Sequence, residues 1–294
     1  MANVIKIKKG LDINLKGKAS DVLLNGGKSD SYAIVPDYYN GIVPKVVAKV
    51  GEKVKAGSVL MIDKNRPEIK FVSPVSGEVT AVNRGEKRKV LSVVVKPEAQ
   101  IEYEDFGKKN VASLKREEVK EAILHAGMWP FIKQRPYDIV ASPADEPRDI
   151  FVSAFYSAPL APNFDFVVKG QEVDFQTGLD ALAKLTDGKV YVGIRKGSSV
   201  SVKGVETVEV EGPHPAANVG VQINHIKPIN KGEVVWTVNP ADVIVIGRLF
   251  NKGIADFSRL VVITGSETTE RGYVKAIAGC TIASLVDGKI MRGN

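Results

Sequence analysis

The sequence predicts a mixed α/β protein of several domains, an α+β mosaic rather than one layered sheet or a helical bundle. The chain has 294 residues, of which 44% are hydrophobic, enough to bury a substantial core and to divide into two or three domains. Its 27 glycines and 15 prolines break it into short segments, as many strands and turns require. The pattern also changes once, near Pro97, from closely spaced short strands to strands that alternate with helices.

From Tyr32 to Lys96, apolar groups such as Val46-Val47 and Val93-Val94-Val95 alternate with Gly, Pro and Lys, which reads as short strands. An internal echo lies within this stretch. Gly51-Glu52-Lys53-Val54-Lys55 recurs as Gly85-Glu86-Lys87-Arg88-Lys89, each copy after a small apolar strand, so two similar β halves packed face to face are expected. The layout resembles the biotinyl/lipoyl-like barrel-sandwich hybrid, with Pro74-Val75-Ser76-Gly77 opening the second half. Such a domain is expected over residues 1–100, behind a basic opening segment that carries Lys6, Lys8, Lys9, Lys16 and Lys18. A biotinyl or lipoyl carrier needs a lysine at a tight hairpin tip, and Asp63-Lys64 is the candidate. Asn65-Arg66-Pro67 follows, however, and ten positions separate Lys64 from Pro74, so Lys64 reads as a surface lysine.

Beyond Pro97, Ser113 is placed to cap a helix whose apolar residues Leu114, Val119, Ala122, Ile123 and Ala126 recur at helical spacing up to Gly127. A second helix is expected from about Asp174 to Thr186, with Phe175, Leu179, Leu182 and Leu185 on one face. Ile139-Val140-Ala141, Phe151-Val152-Ser153 and Val190-Tyr191-Val192 read as strands between them, which predicts an α/β layer with parallel pairing over residues 101–255. Pro215, in Gly212-Pro213-His214-Pro215, suits the first turn of a helix. The apolar runs from Asp242 to Gly247 and from Leu260 to Gly265 read as buried strands. Residues 256–294 are then the start of a further small β-rich domain, and no terminating element precedes Gly293-Asn294, so a shortened C-terminus is expected.

Composition narrows the chemistry. The single cysteine, Cys280, excludes an internal disulfide and any cluster built on several cysteines of this chain; without a basic neighbour it reads as a core residue rather than a reactive thiol. After Met1-Ala2-Asn3-Val4 no apolar leader follows, and no run approaches the roughly 20 apolar residues of a spanning helix. A cytoplasmic, non-spanning chain is the expectation. The net charge of +7 suits an anionic surface or acidic partner as well as a solvated face, but no nucleic-acid motif accompanies it and no nucleic-acid partner is expected. No Gly-x-Gly-x-x-Gly follows a strand, and neither a Walker loop nor Gly-x-Ser-x-Gly is present. His125, His214 and His225 lie too far apart for a local metal motif, so no metal site is expected.

Two places remain as candidate sites. His125, at a helix end, reads as structural, whereas His214, between two prolines at an expected helix start, is placed to receive an anionic group. Met128-Trp129-Pro130-Phe131-Ile132-Lys133-Gln134-Arg135-Pro136-Tyr137 concentrates aromatics, prolines and cations directly after a helix. Such a loop forms either a flat apolar pocket with a polar rim, suited to a quinone head group, or a rigid interdomain plug.

Five segments in this order resemble the NqrA subunits of the Na+-translocating NADH:quinone oxidoreductase (Nqr) family: Val82-Asn83-Arg84-Gly85-Glu86-Lys87-Arg88, the Trp129 to Pro136 loop, Ala158-Pro159-Leu160-Ala161, Gly212-Pro213-His214-Pro215-Ala216, and Val243-Ile244-Val245-Ile246-Gly247-Arg248-Leu249-Phe250. The resemblance spans nearly the whole chain. It implies a peripheral subunit on the cytoplasmic face of the inner membrane, docked on the partners NqrB to NqrF of a machine that couples NADH oxidation and quinone reduction to Na+ export. It also implies that FAD, FMN, riboflavin and iron–sulfur centres belong to those partners, that this chain holds no redox centre and no catalytic residue, and that quinone is the substrate nearest to it. Trp129, Phe131, Arg135 and His214 are the quinone-site candidates, and Asn83, Arg84, Gly85, Glu86, Lys87 and Arg88 form the family motif. The fold implied is a barrel-sandwich hybrid, a Rossmann-like α/β domain without its cofactor loop, and a partial β-grasp domain of the SLBB-like kind. It is similar to the flavin-binding subunit of respiratory complex I and to the RnfC subunits of Rnf-type complexes. A stand-alone flavin or nicotinamide oxidoreductase, a structural adaptor and an acyl carrier are the competing readings.

Overall fold

The computed structural model describes residues 4–291; the Met1-Ala2-Asn3 opening and the Gly293-Asn294 end lie outside them. Strand β1 (Val4–Lys6) is followed by an extended segment and then by the barrel strands β2 (Tyr32–Ile34), β3 (Pro44–Val46), β4 (Lys53–Val54), β5 (Val59–Asp63), β6 (Lys70–Val72), β7 (Gly77–Arg84) and β8 (Val90–Pro97). They form two antiparallel sheets, β2-β8-β7-β4 and β3-β5-β6. Val54, Leu60, Val75, Val79, Val93 and Val95 fill the space between them. The first echoed turn is tied to the second half of the barrel: Gly51 N–H donates to the Val79 carbonyl, and Val79 N–H donates to that of Glu52.

The β5–β6 hairpin is not a free tip. Asp63 is fully buried, and its carboxylate accepts from the backbone N–H of Val43 (3.0 Å) and Asn65 (3.1 Å) and from Arg66 Nε (2.8 Å). The Arg66 guanidinium reaches on to the carbonyls of Gly41 (2.9 Å) and Val140 (3.2 Å). The turn beside Lys64 is thus tied to the neighbouring domain, the opposite of what a swinging arm requires.

The central domain comprises α1 (Arg116–His125), β9 (Ile132–Arg135), β10 (Ile139–Val140), β11 (Ile150–Ser153), α2 (Phe164–Val167), α3 (Glu172–Lys184), β12 (Val190–Arg195), β13 (Glu206–Glu211), α4 (Val219–Ile226), β14 (Val235–Val238) and α5 (Pro240–Lys252). Its sheet runs β1-β13-β12-β11-β14-β9-β10; neighbours are parallel from β1 to β14, whereas β9 is antiparallel to both its neighbours. The opening strand of the chain therefore completes the central sheet rather than the barrel. Alternation along β11 sends Ile150 and Val152 into the main core with α3 and α5, and Phe151 to the other face with Ile223 of α4. Helices cover both faces, the arrangement a mostly parallel sheet needs.

Three local expectations are corrected. Asp242 to Gly247 is not a strand but the body of α5, capped by the Asn239 side chain on Ala241 N–H, started by Pro240 and stopped by Gly253 at φ 74°. Val243, Ile244, Val245 and Ile246 are all buried, so the helix shows no polar stripe and its apolar run mimics a buried strand. Helix α5 lies so close to α3 that a Cβ on Gly247 would sit 1.7 Å from the Asp174 carbonyl oxygen and one on Gly178 2.1 Å from that of Val243. Pro215 is not in a helix; α4 starts after Asn218. The cap residue of α1 is Lys115, while Ser113 closes a separate 3-10 turn over Val111–Ser113.

Hairpin β15 (Ser258–Ile263) and β16 (Gly272–Ile277), with the short helix α6 (Ile282–Val286), follows the central domain. The extended segment after β1 laces it to the rest: Leu24 N–H donates to the Tyr273 carbonyl, Tyr273 N–H to that of Val22, and Gly265 N–H to that of Gly17. Arg248 of α5, only 5% exposed, donates to the Ser258 carbonyl at 2.6 Å and to that of Asp256 at 3.3 Å, fixing the start of the hairpin.

Candidate functional site

A cavity of about 290 Å3 opens where barrel, central domain and C-terminal hairpin meet. The barrel supplies Tyr39, from the turn after β2, and Phe71 on β6; their rings meet edge to face with centroids 4.8 Å apart. Across from them Phe131, from the turn after α1, meets Phe257, before β15, in a second edge-to-face pair at 6.0 Å. Aromatic walls in this arrangement accept a flat ring by stacking and edge contact.

Charged groups are set into these walls. Lys133 on β9 holds its ammonium 5.1 Å from the centroid of the Tyr39 ring. Asp242, in the first turn of α5, accepts from Arg259 Nη2 of β15 at 3.0 Å, and the Arg259 guanidinium lies 6.0 Å from the Phe131 centroid. Arg259 Nε is buried without a partner. Burial raises the Asp242 carboxyl against the opposing pull of Arg259 and Lys133, and burial lowers the Lys133 ammonium. Burial, with the nearby Asp242 charge, pushes the Tyr39 phenol up to about 12, so it stays a neutral donor at physiological pH.

A second, larger crevice of about 680 Å3 lies at the carboxyl ends of the parallel strands, bordered by Phe155 to Asp165, Arg195 and the segment from Asp12 to Asp21. In open α/β sheets this edge, where the strand order reverses between β11 and β14, is where ligands ordinarily sit. Here Tyr156 spans that point, its hydroxyl hydrogen-bonded to Asn239 Oδ1 at 3.2 Å. The extended segment overlies the crevice, with Asp12 Oδ1 accepting from His214 N–H (2.8 Å) and Asp21 from Asn163 Nδ2 (2.8 Å). Among the described residues no group of three or more His, Cys, Asp or Glu is placed to hold a metal ion, and no helix is long and apolar enough to cross a membrane.

Residues 5–98 match the NqrA N-terminal barrel-sandwich hybrid domain, and residues 114–255 match the NqrA second alpha/beta domain. The chain belongs to the NqrA family. It is 36% identical over 292 residues to the NqrA subunit of the Na(+)-translocating NADH-quinone reductase of Hahella chejuensis, covering 98% of this chain and 65% of that one. The corresponding subunits of Neisseria meningitidis serogroup A (35% over 293 residues) and Yersinia pestis (34% over 296 residues) are each covered to 66%. The NqrA-family chain thus spans about two thirds of the length of these relatives. A chain of an NAD+-reducing [NiFe]-hydrogenase superposes only loosely, with a TM-score of 0.42 at 13% identity over 61% of this chain and 40% of that one.

Within this NqrA-family fold the four quinone-site candidates do not form one cluster. Phe131 lines the junction cavity. Trp129, two residues earlier, is fully buried behind it, with Nε1 donating to the Ala141 carbonyl at 2.8 Å and its ring against Trp236 at 5.4 Å. Arg135 lies outside the cavity lining and pairs with Asp138 at 3.3 Å. His214 is on the crevice side, its Nδ1 3.1 Å from Ser157 Oγ and its backbone N–H held by Asp12, so it sits at no helix N-terminus. The Asn83 to Arg88 motif forms the exposed tip of the β7–β8 hairpin, where Arg84 Nη1 donates to the Arg88 carbonyl at 3.1 Å. Sequence reasoning missed Tyr39, Lys133, Asp242 and Arg259 as a group. Lys133 stood within the flagged loop, but Asp242 was hidden by the strand reading of α5.

Proposed function

We propose that this chain is the peripheral NqrA component of a Na+-translocating NADH:quinone oxidoreductase, and that its junction cavity borders the quinone. The naming of its relatives supports the assembly, and the aromatic cavity holding Phe131, with donors set in its walls, supports the quinone contact. In this reading the reaction of the whole assembly oxidises NADH, reduces quinone and exports Na+. The partners NqrB to NqrF carry the FAD, FMN, riboflavin and iron–sulfur centres, and this chain, on the cytoplasmic face of the inner membrane, holds no redox centre. Residues 256–291 are the opening elements of a β-grasp domain.

The cavity suits a quinone on physical grounds. Two aromatic pairs offer faces and edges to a flat ring, and 290 Å3 is close to the lower end of small-ligand sites. Titration of a short-chain benzoquinone against intrinsic fluorescence tests this, because both tryptophans of the chain, Trp129 and Trp236, lie together directly behind Phe131 and Pro130. Saturable quenching is expected; its absence would remove the quinone contact and leave a structural adaptor. Pull-down of the tagged chain from membranes is expected to bring an NADH-oxidising flavoprotein with it.

A further inference from the structure

The cavity discriminates between its polar groups in a way that points beyond simple accommodation of a ring. Its one carboxylate, Asp242, is committed to Arg259 at 3.0 Å. Donors in its lining are uncommitted: among the described residues, Arg259 Nε is buried without a partner, the Lys133 ammonium makes neither a hydrogen bond nor an ion pair, and the Tyr39 hydroxyl makes no hydrogen bond. Lys133 instead faces the Tyr39 ring at 5.1 Å. A half-buried ammonium that feels the Asp138 and Asp242 charges but makes no hydrogen bond is an unusual arrangement, because a buried charge ordinarily finds a hydrogen-bonding partner.

Resting on the quinone reading above, we propose that Lys133 and Tyr39 are the specificity-determining anchors of the head group, and that they make the cavity selective for the oxidised ring. An ammonium has three donors and no acceptor. A quinone carbonyl oxygen is acceptor only and matches it, whereas each hydroxyl of the reduced ring brings a proton that must find an acceptor elsewhere. The cavity's carboxylate already accepts from Arg259 through Oδ1, which leaves one oxygen against the unspent donors of Lys133, Tyr39 and Arg259. Tyr39, both donor and acceptor, holds either redox form, so the discrimination resides in Lys133. The same geometry assigns Trp129, Arg135 and His214 no contact with the head group.

The test is a pair of anaerobic fluorescence titrations of the full chain with a short-chain benzoquinone and with its quinol. Wild-type protein is expected to bind the quinone about tenfold more tightly than the quinol, the size of one charge-assisted hydrogen bond. Lys133→Met, which keeps the aliphatic stem, should bring the two affinities to within about threefold by weakening the quinone alone. Tyr39→Phe should weaken both forms by a similar factor and leave the ratio standing. If wild-type protein binds both forms equally, or Lys133→Met leaves the ratio unchanged, the anchors are misassigned while the quinone reading survives. If neither form quenches saturably, the quinone reading falls and takes this inference with it. Should Lys133→Met fail to fold, the wild-type ratio and Tyr39→Phe still decide.

Discussion

The junction cavity and the crevice over the carboxyl ends of β11 and β12 offer different answers to where a mostly parallel α/β domain keeps its ligand. The crevice is the larger of the two and lies where parallel sheets ordinarily bind, yet Tyr156 fills the reversal point and residues 12–21 lie across the opening. The cavity is less than half that volume, beside the carboxyl end of β14 where β9 pairs with it, and made by three parts of the chain at once. Its donors are unspent, whereas around the crevice His214, Asp165 and Asn163 are already paired within the protein. Volume and the strand-order reversal therefore point one way, and uncommitted chemistry points the other. In this chain the second criterion is the more informative, because a ligand competes with the partners a polar group already has.

The largest expected effect separates core from site within the Trp129–Phe131 turn. Trp129→Ala should cost about 3–5 kcal/mol in a denaturant titration, as full burial, the Ala141 hydrogen bond and the Trp236 contact are lost together. A loss under about 1 kcal/mol would show that Trp129 is not the anchor of this turn. Next in size is the amino edge of the sheet, where Asp149 is buried beneath Arg148 and Lys227 at 2.6 and 2.8 Å. Burial alone would raise its carboxyl, but hydrogen bonds from Lys227, the Lys189 N–H and Arg148 outweigh this and hold it below the ordinary carboxylate range. With its folded value depressed, Asp149 contributes stability that is present above its unfolded value, near 3.8, and is lost as pH falls through the lower folded one. Asp149→Asn should cost about 1–3 kcal/mol at neutral pH and flatten the acid limb of a stability-against-pH curve; an unchanged limb would remove Asp149 from that role.

Phe131→Ala tests the cavity itself. About tenfold weaker binding of a short-chain quinone is expected, with a smaller stability loss than Trp129→Ala because Phe131 is only partly buried. Equal losses in both assays would mean that the two residues form a single plug. The smallest effect belongs to the crevice: His214→Ala should change quinone affinity less than about twofold and cost roughly 1 kcal/mol through its bond to Ser157. A larger fall in affinity would move the ligand to the crevice.

Much of the fold is legible in the residues. The turn-rich valine pattern before Pro97 and the strands at Ile139, Phe151 and Val190 follow from periodicities of two and from short apolar runs. Helix α5 was not, because a helix buried on every side carries the same unbroken apolar run as a buried strand; the Asn239-Pro240 start and the Gly253 stop were the signals that could have settled it. Strand β1 was hidden for another reason: three residues pair with a strand some two hundred positions later, and no local pattern encodes that. The candidate site was half visible. Its loop announced itself through aromatics and cations, but only packing shows that Trp129 turns inward while Phe131 and Lys133 face the cavity, and that Asp242 and Arg259 arrive from elsewhere.

Hydrogen–deuterium exchange with and without a short-chain benzoquinone measures most directly which of the two sites takes the ligand. Slower exchange confined to peptides spanning 36–39 and 130–134 is the expected result. Protection over 155–165 and 195–198, with none at the junction, would contradict it.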